Sequence, residues 1–275
     1  MEKTDMKKFM ALALATLAAC TTLGLASCGN NAKYVASPIA SDANEQYAFA
    51  IGKNATKKTE ILNAMNKVID EIDVAKIVEY YTAVASNEIP SVGLDFANLA
   101  DNTAGTLQVY TNATFDPFEF RDEANAIVGV DMYIMELVAE ELNMKVNFND
   151  MDFDGIVGKV ATEDNAIGAA GMTVTEERLE KVDFSNTYFS TVQCIISKES
   201  EAFKSMDDLK GKKIGVQKGT TGWLLIDEAI KSGALKDTGA EVLAYDNGPL
   251  AYSALKAGKC DVVVIDELPA NKLVK

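Results

Sequence analysis

The residues Ala169-Ala170-Gly171-Met172-Thr173-Val174-Thr175-Glu176-Glu177-Arg178 place an apolar, strand-like run directly before a helix start. Thr173 and Glu176 have the spacing of a capping box, which predicts that the helix begins near Thr173. Such a start offers free N–H groups and the positive end of the helix dipole, and Arg178 adds a planar guanidinium that matches a carboxylate. The stretch predicts a seat for a small carboxylate ligand. The alternative is a capped surface helix whose arginine pairs with an acidic side chain.

Strands and helices alternate on both sides of this stretch. Such alternation predicts an α/β fold with mostly parallel sheets. The predicted strands are Tyr47–Lys53, Leu107–Thr111, Lys145–Phe148, Ile167–Ala170, Val192–Ser197, Lys213–Val216, Glu241–Tyr245 and Asp261–Ile265. The predicted helices are Thr59–Ile72, Val74–Val84, Met132–Leu142, Phe153–Val160, Glu176–Lys181, Trp223–Ser232 and Leu250–Ala257.

The composition excludes several function classes. The 275 residues are 48% hydrophobic and 24% charged, which is typical of a globular protein of one large or two small domains. A net charge of −15 argues against nucleic-acid binding, because a basic face is not expected on such a chain. The absence of histidine removes histidine triads, histidine general bases and histidine metal ligands. No cofactor or metal is predicted.

The four cysteines fall into two groups. Cys194 and Cys260 each begin an apolar run and are interpreted as small buried hydrophobic residues, with a disulfide between them as the alternative. Cys20 lies within, and Cys28 just after, an alanine-rich apolar run from Phe9 to Ala26. The run follows two lysines, the pattern of a signal peptide over residues 1–27.

A lipid anchor is predicted at Cys28. Leu25-Ala26-Ser27-Cys28 resembles a bacterial lipobox, in which the cysteine is lipidated and becomes the first residue. Leu17-Ala18-Ala19-Cys20 is a second candidate, and a plain secretory signal cut near Ser27 is the other alternative. Residues 28–44 are then interpreted as a tether.

Three segments carry a resemblance to a known family. They are Val109–Phe120 (VYTNATFDPFEF), Met151–Ile156 (MDFDGI) continuing through Gly171–Arg178 to Val182–Ser185 (VDFS), and Leu209–Gly222 (LKGKKIGVQKGTTG). In this order they resemble the amino-acid-binding proteins of ABC importers, solute-binding protein family 3. The resemblance implies a two-lobed periplasmic-binding-protein-like fold of type II. Its lobes would span residues 106–188 and 189–265, with hinge crossings near Tyr188–Val192 and Ile265–Glu267 and a return to the first lobe over 266–275.

The resemblance also implies a ligand site between the lobes. Arg178 would bind an α-carboxylate bidentately and Asp266 would accept an α-ammonium, so that both charges of a zwitterion are paired. The other implied site residues are Asn112 near the ligand side chain, Phe115 and Phe153 as walls, Gly171 and Thr173 beside the ligand, Gln217 at a position that varies with specificity, and Thr220 and Thr221 as N–H and hydroxyl donors.

The order of the segments departs from the family. Residues 45–85 have the strand–helix–helix pattern with which family members end, yet here they precede the first family strand. We interpret this as a circular permutation, joined by a polar linker over residues 86–105. The alternatives are a truncated fragment of a tandem protein and an unrelated helical prefix.

The implied function is that of a lipid-anchored monomeric receptor outside the cytoplasmic membrane of a bacterium. It would capture a polar amino acid or similar small zwitterion and deliver it to an ABC permease, without catalysis. The alternatives are a dehydratase-like enzyme on the same fold, for which Glu119 and Glu267 are the nearest candidate acids, a ligand-sensing module, and a copy that no longer binds.

Overall fold

The computed structural model describes residues 32–39 and 45–275 of the chain. The predicted signal peptide and both lipobox cysteines therefore lie outside the described residues. The elements are β1 (Tyr34–Pro38), β2 (Glu45–Tyr47), β3 (Ala50–Gly52), α1 (Lys58–Glu71), α2 (Val74–Ala85), β4 (Thr106–Thr111), β5 (Phe120–Arg121), β6 (Ile127–Val128), α3 (Val130–Glu141), β7 (Lys145–Asp150), α4 (Phe153–Thr162), β8 (Ile167–Gly168), α5 (Glu176–Leu179), β9 (Val182–Phe184), β10 (Phe189–Thr191), β11 (Gln193–Lys198), β12 (Lys213–Gln217), α6 (Thr221–Lys231), β13 (Glu241–Tyr245), α7 (Gly248–Lys256), β14 (Val262–Asp266) and α8 (Glu267–Val274).

Two five-stranded sheets form the lobes of the described chain. The first has the order β7-β4-β8-β3-β9 and the second the order β1-β11-β14-β12-β13. Each sheet is half parallel: β7, β4 and β8 run together, as do β14, β12 and β13, whereas β3, β9, β11 and β1 form antiparallel pairs. The prediction of an α/β two-lobed fold is confirmed, but that of mostly parallel sheets is wrong. The reason lies in the strands next to the interlobe connections, β1, β3, β9 and β11. They do not belong to strand–helix–strand units, and they pair antiparallel with their neighbours.

A short antiparallel ribbon connects the lobes. β10 leads from the first sheet to the second, as predicted, and pairs with β2, which leads into the first sheet. The crossing predicted near Ile265–Glu267 is wrong, since β14 ends at Asp266 and α8 follows at once. The predicted strand Tyr47–Lys53 is accordingly divided, with Tyr47 in the ribbon and Ala50 in the first sheet.

Both ends of the described chain pack on the second sheet. Residues Tyr34–Pro38, predicted as part of a tether, form the edge strand β1 against β11. α8 packs on β1 and β11 instead of returning to the first lobe, although the Lys272 ammonium reaches the carbonyl of Ala85 at the end of α2. These corrections share one cause: edge pairing and apolar packing are non-local, so a local pattern does not reveal them.

Helices α1 and α3 bury the core of the first lobe, where Ile61, Met65 and Ile134 are fully buried. The predicted linker, residues 86–105, contains no helix or strand and lies against α3. The Tyr133 hydroxyl donates to the carbonyl of Asp95 at 2.8 Å, and the Asn102 amide donates to the carbonyl of Met144 at 2.8 Å. The segment is therefore held on the lobe by hydrogen bonds.

The two cysteines of the described chain, Cys194 and Cys260, are free and buried. This excludes the disulfide alternative. Burial raises the pKa of Cys194 to about 12 and that of Cys260 to about 11, so both thiols stay protonated at neutral pH.

Gly129 precedes α3 at a position where a side chain does not fit. Its φ is +139°, and a Cβ there would lie 2.2 Å from the carbonyl oxygen of Phe118. We expect Gly129→Ala to destabilise the protein by at least about 2 kcal/mol in urea unfolding. Gly158, inside α4 with open space around its Cα, is the matched control: Gly158→Ala should stabilise by roughly 0.5–1 kcal/mol. Equal effects of the two substitutions would contradict the steric account.

Candidate functional site

The predicted site residues lie together in a cleft between the two lobes. Parallel strands present their carboxyl ends at one edge of a sheet, and in this chain the ends of β4, β8, β12 and β14 meet across the gap. The cleft is lined by the ten predicted residues Asn112, Phe115, Phe153, Gly171, Thr173, Arg178, Gln217, Thr220, Thr221 and Asp266, together with Glu119 and Ala170. Their common location is what the motif positions predicted, and their roles toward a ligand stay predictions.

Arg178 is the buried cation of the cleft, with 8% of its surface exposed. Its Nη1 donates to the carbonyl of Thr173 at 2.6 Å, and its Nη2 donates across the cleft to the carbonyl of Gly219 at 3.0 Å. The guanidinium lies 5.3 Å from the ring centre of Phe153. Burial lowers the pKa of Arg178, while the charges of Glu45 and Asp266 oppose that shift. Two N–H groups thus fix the fork, and three remain for other acceptors.

The helix that carries Arg178 begins at Glu176, as predicted, but its N-cap lies two residues after the predicted Thr173. Thr175 is the N-cap of α5, and its hydroxyl accepts from the backbone N–H of Arg178 at 3.3 Å. The capping box predicted for Thr173 and Glu176 is wrong, because the Thr173 hydroxyl donates instead to the Glu45 carboxylate at 2.9 Å. α5 has only four residues, so the guanidinium is a better basis for anion binding here than the helix start.

Asp266 is the buried anion predicted opposite Arg178. The Tyr47 hydroxyl donates to its Oδ1 at 2.7 Å. Burial, followed by the neighbouring charge of Glu45, raises the pKa of Asp266 to about 8. The carboxyl group is therefore half-protonated near pH 8 and would ionise more readily beside a cation.

The two threonines predicted for the site in the second lobe, Thr220 and Thr221, use their hydroxyls within the protein. Thr220 is the N-cap of α6: its hydroxyl accepts from the N–H of Trp223 and donates to the carbonyl of Gln217. The Thr221 hydroxyl donates to Glu45 at 2.6 Å. Both hydroxyls thus bond within the protein in this structure, and their role as donors to a ligand stays a prediction. The backbone N–H groups at the start of the eleven-residue helix α6 still face the cleft end of the lobe.

Several contacts hold the cleft closed. The Gln217 side-chain amide donates to the side-chain oxygen (Oδ1) of Asn112 at 3.1 Å, and Lys218 pairs with Asp154 at 2.6 Å. The centre of the cleft admits only about one water molecule. A ligand of amino-acid size therefore requires the lobes to separate, the hinge motion expected of this architecture.

Gly171 determines how Phe115 lies in the cleft. Its φ is +52°, and a Cβ there would lie 2.7 Å from the Phe115 ring. The Gly171 N–H donates to the buried carboxylate of Asp131 at 2.9 Å, and Tyr188 donates to the other oxygen at 2.6 Å. Burial raises the pKa of Asp131 to about 7. Asp131, which the sequence interpretation missed, thereby anchors the loop that carries Gly171.

The family is established by sequence comparison. Residues 107–244 match the family described as bacterial extracellular solute-binding proteins, family 3. The probable histidine-binding protein of Neisseria gonorrhoeae is 30% identical over 195 residues, which cover 70% of this chain and 71% of that protein. The chain belongs to this solute-binding family.

Further relatives agree on the family and differ in what they bind. The L-cystine-binding protein of Escherichia coli strain K12 is 31% identical over 173 residues, and the match spans 62% of each chain. An ancestral arginine-binding protein solved with bound arginine has 43% identity and a TM-score of 0.53, with 59% of this chain and 70% of that chain covered. The chain thus spans less than two thirds of the cystine-binding relative.

Glu119, which lines the cleft, and Glu45, which bonds to two threonines of the lining, were not predicted as ligand-site residues. Glu119 is fully buried, its Oε2 has no partner among the described residues, and burial raises its pKa well above the usual value. Glu45 projects from β2 and accepts hydrogen bonds from both lobes. Glu119 could have been suspected from its place in the Phe115–Phe120 motif, whereas no local signal marks Glu45. Glu267 is absent from the residues that line the cleft.

No cluster of potential metal ligands occurs in the described part of the chain. Within the same residues, no helix is both long and apolar enough to cross a bilayer.

Proposed function

We propose that this protein captures a free polar amino acid, or a similar small zwitterion, in the interlobe cleft and delivers it to an ABC permease. One observation carries the proposal: the guanidinium of Arg178 and the carboxyl group of Asp266 are both buried and line the same closed cleft. An unpaired buried charge is costly, so a ligand that brings one charge of each sign satisfies both groups at once. The relatives named above, which bind different amino acids, support the ligand class without selecting one member.

The proposal extends to the location of the protein in the cell. We propose a monomeric receptor outside the cytoplasmic membrane, anchored through a lipid on Cys28. Family membership supports the extracytoplasmic location, and the lipobox sequence supports the anchor.

Thermal unfolding with a panel of ligands tests the proposal. The panel is the twenty amino acids with cystine, ornithine and citrulline. A ligand at 100 times its Kd adds about 2.7 kcal/mol to the free energy of unfolding, which raises the Tm of a domain of this size by several degrees. We expect a shift with one or a few zwitterions. We expect none with their analogues in which the amino group is acylated as an amide and the carboxylate is esterified, because these carry neither backbone charge. A cooperative transition that no member of the panel moves would contradict the proposal.

Enzymatic dehydration is the second candidate, and Glu119 favours it. This carboxyl group lines the cleft, and burial raises its pKa well above the usual value, which favours the protonated form that a general acid needs. The binding-protein reading is stronger because the named relatives are binding proteins. Loss of water from cyclic carboxylic acids of the prephenate type, followed by absorbance, distinguishes the two functions.

We also propose that the chain is a circular permutation of the family order. The support is the position of β3, which lies between β8 and β9 inside the sheet that contains β4. An unrelated N-terminal segment is not expected to supply the strand that joins β8 to β9 within that sheet. The packing of α1 on α3 adds the same support, because the segment contributes to the core of the lobe.

A further inference from the structure

Glu45 lies where both lobes meet the connecting ribbon. Its Oε2 accepts from the Thr173 hydroxyl of the first lobe at 2.9 Å and from the Thr221 hydroxyl of the second lobe at 2.6 Å. Its Oε1 accepts from the side-chain amide of Gln193 at 3.0 Å. One carboxylate therefore receives donors from β11, from α6 and from the loop after β8.

These bonds fix the direction in which the two hydroxyls point. A threonine hydroxyl has one hydrogen to donate and two lone pairs that accept. Thr173 and Thr221 both direct that hydrogen at Glu45. Toward the cleft they can then offer only lone pairs, which suit a donor on the ligand and cannot bind a carboxylate.

Asp266 lines the cleft together with Thr173 and Thr221, and its carboxylate is a further acceptor there. Glu45 is the acidic residue whose charge raises the pKa of Asp266 most, and Arg178 is already bonded to two carbonyls. Two adjacent carboxyl groups in a buried site repel each other unless a proton or a cation lies between them. The charged and titratable side chains that face Asp266 are Glu45 and Tyr47 from β2, Glu119 from the loop before β5, Arg178 from α5 and Cys194 from β11.

We propose that Glu45 is a specificity-determining residue. It turns the hydroxyls of Thr173 and Thr221, which line the cleft, into acceptors, and these hydroxyls form with the ionised Asp266 carboxylate a corner that accepts hydrogen bonds only. The corner takes a primary ammonium group, and the ligand's carboxylate is directed to the free N–H groups of Arg178. This inference rests on the proposed function and adds that Glu45 is the residue that excludes ligands without the ammonium group.

Replacement of Glu45 by glutamine changes the direction in which the threonine hydroxyls donate. The amide nitrogen of Glu45→Gln donates, so at least one threonine hydroxyl can accept from it and turn its own hydrogen toward the cleft. The corner then also accommodates an anionic or neutral group. The substitution keeps the side chain's length and shape.

Isothermal titration with two probes measures the effect. The probes are L-arginine and 5-guanidinopentanoate, which is arginine without its α-ammonium. We expect the wild-type protein to prefer L-arginine by at least about 100-fold, and Glu45→Gln to reduce that ratio by at least about tenfold. Glu141→Gln, which removes a surface carboxylate paired with Lys67, should leave the ratio unchanged. An unchanged or larger ratio in Glu45→Gln would overturn the proposal.

A second variant keeps the test decisive if Glu45→Gln does not fold. Thr221→Val removes one hydroxyl and preserves the shape of the side chain. If that hydroxyl accepts from the ammonium, affinity falls by the same factor for L-arginine and for L-arginine methyl ester, which lacks the carboxylate charge. A loss confined to L-arginine would show that the hydroxyl serves the carboxylate and would overturn the proposal.

A ligand-free measurement separates this inference from the proposed function. Asp266 holds more protons when folded than when unfolded, so it contributes stability at low pH that is lost as pH rises toward about 8. We expect a smaller loss of stability between pH 5 and pH 8 in Glu45→Gln, because Asp266 ionises more readily beside a neutral amide. If no amino acid binds the wild-type protein, the proposed function fails. An identical pH dependence in both proteins would then overturn the role of Glu45 as well.

Discussion

Arg178→Ala is expected to weaken the binding of whichever amino acid stabilises the wild-type protein by at least about 100-fold, or roughly 2.7 kcal/mol. The guanidinium is buried, its orientation is fixed by the carbonyls of Thr173 and Gly219, and it is the one arginine in the cleft. Removing it leaves the ligand's carboxylate buried without a cation. Isothermal titration at pH 8 measures the change, with the thermal transition of each variant as a check on folding.

Arg121→Ala is the matched control. Arg121 is the other arginine of the chain, and it pairs with Asp150 at 2.9 Å on the surface of the first lobe. Its loss should change affinity by less than about twofold, since exposed ion pairs contribute little. Arg178→Lys should fall between the two, because it keeps the charge and loses the planar fork. Retention of affinity within about tenfold in Arg178→Ala would contradict the assigned role.

Affinity is expected to rise with pH and then level off above about pH 8. Asp266 has a pKa of about 8 in the ligand-free cleft, so below that pH a proton must leave before the carboxylate can pair with an ammonium. The apparent affinity should therefore fall by roughly tenfold for each pH unit below 8. Titrations at pH 6, 7, 8 and 9, in buffers that differ in ionisation enthalpy, measure both the affinity and the proton released.

Asp266→Asn provides the control for this pH dependence. The amide cannot ionise, so the slope between pH 6 and pH 8 should flatten, and affinity at pH 8.5 should fall by about 100-fold or more. Tyr47→Phe removes the hydroxyl that donates to Asp266 without removing the carboxylate. It should retain the rise with pH. A wild-type affinity that does not change between pH 6 and pH 9 would show that Asp266 does not receive the ammonium.

The residues of the cleft were predicted from the family resemblance, which carried Arg178, Thr221 and Asp266 over by their positions in motifs. Those motifs are local in the sequence, and two of them place glycine, threonine and a helix start after a strand. The regular helices were equally local: apolar periodicity predicted α1 and α2 to within one residue at each end.

The tertiary structure alone decided what depends on contacts between distant parts of the chain. It placed β1 at the edge of the second sheet, made β2 the second connection, and kept α8 on the second lobe. It also brought Glu45 to within hydrogen-bond distance of Thr173 and Thr221, which lie 128 and 176 residues away. The local sequence pattern predicts which face of a helix or strand is apolar. Which other element that face packs against depends on strand register and on the packing of the lobes. The residues of the cleft were therefore readable from the sequence, and the donors and acceptors that they present to a ligand were set by the fold.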